Sequence, residues 1–236
     1  AVKGGAPLRT LEGHTNSVSA IACHGEGDKR RYVSAASDTT VRVWGDGAGA
    51  AARPAVDGHV DDVTALARVG DGRRVVTASR DKTLRVWDVV EGGAPLKLVG
   101  HEDAVLAVEC YDEGDAWRAV SGGGSFESGG EDKTLLVWDL DKGGAPLLKL
   151  EGHKHSVSAV ACHRVGDGWR YVSGGENNVR VWDVEGGAAA RSAVDGHKRD
   201  VTSLACFDDG RRLVTGSEDG TLLVRDVVEG GAPLLK

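Results

Sequence analysis

One eight-residue text constrains this chain more than any other: Asp81-Lys82-Thr83-Leu84-Arg85-Val86-Trp87-Asp88. It reads as a polar turn followed by a strand in which Leu84, Val86 and Asp88 point one way and Thr83, Arg85 and Trp87 the other. A period of two carrying branched and aromatic residues belongs to a pleated strand. The text recurs as Thr40-Val41-Arg42-Val43-Trp44, Thr134-Leu135-Leu136-Val137-Trp138-Asp139, Val179-Arg180-Val181-Trp182-Asp183 and Thr221-Leu222-Leu223-Val224-Arg225-Asp226. Five copies of one strand make the chain a repeat array before any other feature is weighed.

Around each copy the same order holds. Gly-His pairs fall at Gly13-His14, Gly58-His59, Gly100-His101, Gly152-His153 and Gly196-His197, with histidine spacings of 45, 42, 52 and 44 residues. After each pair comes an alternating apolar segment (Val63-Thr64-Ala65-Leu66-Ala67 in the second repeat), then a Gly/Asp turn and a second strand such as Arg74–Ser79. The Trp strand is third, and Gly-Gly-Ala-Pro leads to an outer strand such as Leu147-Leu148-Lys149-Leu150. A proline is tolerated there because an edge strand has one free side. Thirty-five glycines suit many short strands joined by tight turns.

Gly-His followed by Trp-Asp, in a repeat of forty-odd residues, resembles the WD40-repeat family. The resemblance covers nearly the whole chain and implies an all-β protein: a β-propeller of five four-stranded antiparallel blades. The repeats fall at about 7–51, 52–93, 94–145, 146–188 and 189–236, in a single domain. A lone four-stranded blade leaves both faces bare, whereas a ring covers each face with a neighbour. No helix longer than a turn is expected. By resemblance the ring closes through pairing of terminal strands. Pro7–Leu11 and Pro233–Lys236 compete for one edge, and the N-terminal segment is expected to win, leaving 230–236 frayed. The first and fourth repeats share Ser-Val-Ser-Ala and Ala-Cys-His, and the second and fifth share Asp-Val-Thr and Gly-Arg-Arg. A duplicated three-blade unit lacking its sixth blade therefore stays open, as does a longer array. The absence of methionine points to a processed, trimmed or partial chain.

Each repeat holds a His, a Ser or Thr, and an Asp, a combination that elsewhere activates a nucleophile. Five copies argue instead for a structural part, because a reaction centre is rarely repeated. The resemblance implies a buried network running from Asp to His to hydroxyl to indole. Its members are His14, Ser34, Asp38 and Trp44; His59, Thr77, Asp81 and Trp87; and His101, Ser121 or Ser128, Asp132 and Trp138. The fourth set, His153, Ser173 and Trp182, has a turn one residue shorter, which puts its Asp in doubt. The fifth keeps His197, Thr215 and Asp219 but has Arg225 in place of Trp, and an altered, partly solvated network is expected. No enzyme activity and no cofactor are expected.

A net charge of −7 argues against broad nucleic-acid binding, which wants a basic face. No apolar run approaches a membrane helix, and the start carries no basic-plus-apolar signal. Cys23, Cys110, Cys162 and Cys206 share one repeat phase and lack CxxC spacing, so they read as small apolar residues ending inner strands, not as a metal or disulfide framework. Unpaired thiols and the missing signal point to a cytoplasmic protein. Arg30-Arg31, Arg73-Arg74 and Arg211-Arg212 read as a solvated rim paired with nearby Asp, with a phosphate-rich partner as the alternative.

Propeller function resides in loops. The family's usual peptide-binding face carries the residues after Gly-His and the turns before the Trp strand. Here these are Asp61, Asp62, Asp103, His155 and Arg199, with Arg80, Glu131, Glu176 and Glu218 from the turns. Acids outnumber bases, so a basic peptide or protein is one expectation and a merely solvated face the other. The third repeat spaces Ser121 and Asp132 by eleven positions where Ser34 and Asp38 are four apart. The extra segment, 122–128, reads as a flexible loop with Phe126 as an exposed anchor, or as a linker without a role. The overall reading is a monomeric, non-catalytic protein-interaction scaffold, alone or in a larger complex. The alternative is a lectin-like or small-ligand-binding propeller.

Overall fold

A computed structural model describes residues 9–24, 30–45, 58–125, 132–183, 190–207 and 210–226. Among these residues there are strands and turns and no helix. Eighteen strands form five antiparallel sheets in chain order. The first is β1 (Val18–His24), β2 (Arg31–Ala36) and β3 (Val41–Gly45). The second is β4 (Val63–Arg68), β5 (Arg74–Ser79), β6 (Thr83–Asp88) and β7 (Leu96–Val99). The third is β8 (Val105–Asp112), β9 (Trp117–Gly123), β10 (Leu135–Asp139) and β11 (Leu148–Leu150). The fourth is β12 (Val157–Val165), β13 (Gly168–Gly175), β14 (Asn178–Asp183) and β15 (Ala190–Asp195). The fifth is β16 (Val201–Phe207), β17 (Arg212–Ser217) and β18 (Leu222–Asp226).

Alternation along the Trp strand divides its side chains between two neighbours. Leu84 and Val86 of β6 join a cluster with Val105, Val108, Leu136 and Trp138 of the third sheet. Trp87 points the other way, into a cluster with Val33, Ala35 and Val41 of the first. The same arrangement joins the third sheet to the fourth, through Tyr111, Val120 and Leu135 against Val157, Tyr171 and Trp182. It joins the fourth to the fifth through Val172, Val179 and Val181 against Val201 and Leu213. The core is therefore a series of inter-sheet layers. From the second sheet on, each Trp face, or Arg225 face in the fifth, looks back toward the preceding sheet.

Every inner strand carries a bulge after its first residue: Val18/Ala20, Val63/Ala65, Val105/Ala107, Val157/Ala159 and Val201/Ser203. A bulge re-aims a side chain, and here it turns a hydroxyl onto the next sheet. Ser19 donates to the Val63 carbonyl, Thr64 to Val105 at 2.5 Å and Ser158 to Val201 at 2.5 Å. The third sheet has Leu106 at this position, buried by packing.

Two expectations change here. Gly122 and Gly123 lie inside β9 and are buried, as is Gly124, so this run is not a flexible loop. Its glycines serve close approach: a Cβ on Gly123 would sit 2.5 Å from the Asp132 carboxylate and from His101, and one on Gly122 2.6 Å from Val157. Arg9, Thr10 and Leu11 belong to no strand. They run beside the first sheet, where Arg9 donates to the Gly45 carbonyl at 3.2 Å and Leu11 lies near Trp44. Pro7, Leu8 and residues 230–236 lie outside the described residues, and the expected contest for the closing edge lies there with them. Among the described residues, sheets pack in the series β1 on β4, β4 on β8, β8 on β12 and β12 on β16, with no comparable packing of β16 on β1.

Candidate partner-binding face

Beneath the loops, the repeated polar residues come together as the resemblance implies. His59 Nδ1 and Nε2 lie 2.8 Å from Asp81 Oδ2 and from Thr77 Oγ1, and Trp87 Nε1 donates to the same Oγ1 at 2.8 Å. The first set repeats this at 2.8, 2.7 and 2.8 Å through His14, Asp38, Ser34 and Trp44. The third repeats it at 2.6, 2.7 and 2.8 Å through His101, Asp132, Ser121 and Trp138, which settles Ser121 over Ser128. An indole N–H can only donate, so the hydroxyl oxygen accepts from it and sends its own proton to His Nε2. The proton on Nδ1 then goes to the carboxylate. Every hydroxyl in these sets is buried and committed to two partners, so the arrangement holds a blade together instead of activating a nucleophile. A buried polar group left unmade would cost roughly 1–3 kcal/mol.

Reading by repeat alone overlooked a second hydroxyl in four of the sets. Thr40, Thr83, Thr134 and Thr221 each give Oγ1–H to Oδ1 of the Asp two residues before, at 2.7, 2.6, 2.7 and 2.6 Å. The Asp-x-Thr spacing in four repeats was the available signal. The middle residue adopts positive φ in three of them, Thr39, Lys82 and Gly220, so only Gly220 reaches the left-handed region without a side-chain penalty. Burial alone pushes the Asp132 carboxyl up, but bonds from His101, Thr134 and the Glu102 N–H hold it well below the ordinary range. Asp38 and Asp81 are lowered likewise against burial, while Thr221 and the Lys198 N–H lower Asp219.

The fourth set departs as its shortened turn foretold. His153 Nε2 meets Ser173 at 2.6 Å and Trp182 donates to Ser173 at 2.8 Å, but among the described residues no carboxylate reaches His153. Burial, reinforced by the Arg180 charge, lowers its pKa to about 4. The fifth set corrects the expectation of partial solvation. His197, Thr215 and Arg225 are all buried. His197 keeps Asp219 at 3.2 Å and Thr215 at 2.8 Å, and the Arg225 guanidinium packs against Gly196, as Trp44, Trp138 and Trp182 do against Gly13, Gly100 and Gly152.

Above these networks, the loop entering each inner strand and the turn before each Trp strand emerge at one end of the sheet. Main-chain bonds tie them: Arg80 N–H to Asp62 O at 2.9 Å and Glu218 N–H to Asp200 O at 3.0 Å. Charges cross the same gap. Arg80 faces Asp62 at 3.9 Å, His155 faces Glu176 at 2.7 Å and Arg199 faces Glu218 at 3.5 Å. Candidate residues of the second, fourth and fifth sheets are thus brought together as one pair each, with the acidic member on the loop in the second sheet and on the turn in the last two. Among the described residues, the Asp61 and Asp103 carboxylates bond only the next N–H in the chain, at 2.7 and 2.8 Å. Phe126 and Glu131 lie outside the described residues.

At the opposite end an arginine of each sheet from the second to the fifth is paired with an aspartate. Arg73 meets Asp88 at 2.5 Å, Arg118 meets Asp139 at 3.0 Å, Arg170 meets Asp183 at 2.5 Å and Arg211 meets Asp226 at 3.0 Å. The Asp after Trp is therefore the clamp for an arginine at the start of the second strand. Arg74 and Arg31 reach across to the Leu140 and Val89 carbonyls of the next sheet at 3.0 and 2.7 Å. Cys110, Cys162 and Cys206 pack onto the inter-sheet clusters. Burial pushes their thiols up, Cys206 to about 11.

The family model for the WD domain, G-beta repeat (WD40), matches residues 5–45, 54–88, 144–183 and 190–226, more than half of the chain. The gap between the second and third matches holds the sheet with the lengthened Ser121-to-Asp132 spacing. Among curated proteins, an uncharacterized WD repeat-containing protein of Schizosaccharomyces pombe is 38% identical over 68 residues, 29% of this chain and 14% of that protein. The general transcriptional corepressor TUP1 of Saccharomyces cerevisiae is 37% identical over 70 residues, 30% of this chain and 8% of its own length. Transducin beta-like protein 3 of Mus musculus is 33% identical over 70 residues, covering 29% and 8%. These alignments span only a small part of each relative.

Proposed function

The chain belongs to the WD40 family, and we propose that it is a non-catalytic platform that binds a protein partner through the loop face described above. The observation that carries this reading is the contrast between the layers. The networks below repeat one plan in the first three sheets and keep its His–hydroxyl pair in all five, while the loops above present a different pair in the second, fourth and fifth. Exposed ion pairs of this kind are worth about 0–1 kcal/mol, so a partner can replace either member at little cost. Asp61 and Asp103 add acidic positions engaged only by their own backbone, which favours a lysine- or arginine-rich segment. A sugar-binding reading has less support, because no Phe, Tyr or Trp occurs in the described loops of this face. Arrayed peptides of basic, neutral and acidic composition provide the test. Basic peptides are expected to capture the protein in a salt-sensitive way, and the Asp61→Lys/Asp103→Lys variant to lose that capture. Equal capture by wild type and variant would remove the reading.

A further inference from the structure

The series of sheets leaves two faces uncovered, and they match each other. On the Trp side of the first sheet, Val18 and Ile21 are 51% and 74% exposed. Their counterparts in the fourth sheet, Val157 and Val160, are buried against the third. A cavity of about 260 Å³ opens on this face, lined by Leu11, Val18, Ile21, Cys23, Tyr32 and Trp44. On the far side of the fifth sheet, Leu222 is 56% and Phe207 38% exposed. Leu135 and Tyr111, at the same register in the third sheet, are buried against the fourth.

The correspondence is residue by residue. Tyr111 and Tyr171 meet across the third and fourth sheets, hydroxyl to hydroxyl at 2.5 Å. Phe207 holds the position of Tyr111 in the fifth sheet, and Tyr32 that of Tyr171 in the first. The Gly122 slot is filled by Val157 and the Gly174 slot by Val201 of the next sheet, each 2.6 Å from where a Cβ would stand. At Gly216, the same register position, no valine of a further sheet comes near. Ser19, Thr64 and Ser158 each donate to the carbonyl of the next sheet's first valine. Thr202 is the matching donor in the fifth sheet and reaches only its own sheet, at Gly216 O. The matching acceptor in the first sheet is the Val18 carbonyl.

We infer that the uncovered face of the fifth sheet docks on the uncovered face of the first sheet of a second copy of this chain, repeating between molecules the contact made within one by the third and fourth sheets. The commitment to a second copy rests on three features of the structure. The two faces are distinct and complementary. Both are apolar. And among the described residues the four successive packings do not bring the fifth sheet onto the first. Such a head-to-tail contact is heterologous, so it continues until a ring closes or a filament forms. This would replace the monomer expected from the sequence, and it is independent of what the loop face binds.

Analytical ultracentrifugation over a concentration series tests it with two variants, Ile21→Glu and Leu222→Glu. Both side chains are exposed in the single chain, so each variant is expected to fold, with circular dichroism as the check. Wild type is expected to rise above 24.6 kDa with concentration, while each variant alone stays at the monomer mass. The mixture of the two is expected to give one-to-one dimers and nothing larger, since each retains one intact face and only opposite faces pair. Three outcomes would overturn the inference: wild type that stays monomeric, whether open or closed on itself; either variant assembling alone as wild type does; or a mixture that forms no dimer.

Discussion

Acidification should expose the defect in the fourth sheet. His153 is buried, bonded to Ser173 and without a carboxylate, and its pKa falls from 6.5 to about 4 in the folded protein. Between those values the unfolded chain takes up a proton that the folded chain refuses, so stability contributed by the neutral ring is complete above 6.5 and lost as pH falls toward 4. Going from pH 7 to pH 5 should cost about 2 kcal/mol from this residue, and full titration about 3 kcal/mol. His59 and His163 are lowered mainly by burial as well and add in the same direction. Urea unfolding at pH 7, 6 and 5 measures the loss, and His153→Gln isolates its source. Glutamine does not titrate, so the variant is expected to lose about 2 kcal/mol less than wild type over that interval whatever its stability at pH 7. Equal pH slopes for wild type and His153→Gln would refute the argument.

Two substitutions probe the networks directly. Trp87→Ala removes a buried ring and the donor to Thr77, and should lower stability by about 3–5 kcal/mol in urea melts, whereas Trp87→Phe, which keeps most of the ring, should lose about 1–2 kcal/mol. Arg225→Trp should fall between no change and a gain of about 2 kcal/mol in the same assay, and a marked loss would show that the buried guanidinium is required where it stands.

The parts of the fold legible in the sequence are those set by local alternation. A strand such as Thr83–Asp88 reveals both its existence and its two faces through its own side chains, and the contacts of Leu84 and Trp87 follow. The networks were legible because all members recur at fixed spacing, and the failure at His153 because the turn is one residue short. Features made between repeats were not legible. Nothing local to Ser19 says that a bulge will turn it onto Val63, although a hydroxyl stands second in four of the five inner strands. The glycines 122–124 misled for a related reason. Glycine serves both loops and close approach, and only the neighbouring sheet shows that Val157 and His101 occupy the space a Cβ would need.

Arg225 shows how far a repeat can depart before the fold must change. The residue sits where four other sheets carry an indole, and it packs against Gly196 as Trp44, Trp138 and Trp182 pack against Gly13, Gly100 and Gly152. A long side chain with a flat, donor-only head reproduces two properties of the indole, planarity over glycine and N–H bonds without an acceptor. It does not reproduce neutrality. The charge is held on the face that looks back toward the fourth sheet, where Leu213, opposite Arg225, joins Val172, Val179 and Val181. At 2% exposure the guanidinium lies out of bulk water, and a buried charge carries a desolvation cost that a neutral indole avoids. That difference is why Arg225→Trp is expected to be neutral or stabilising.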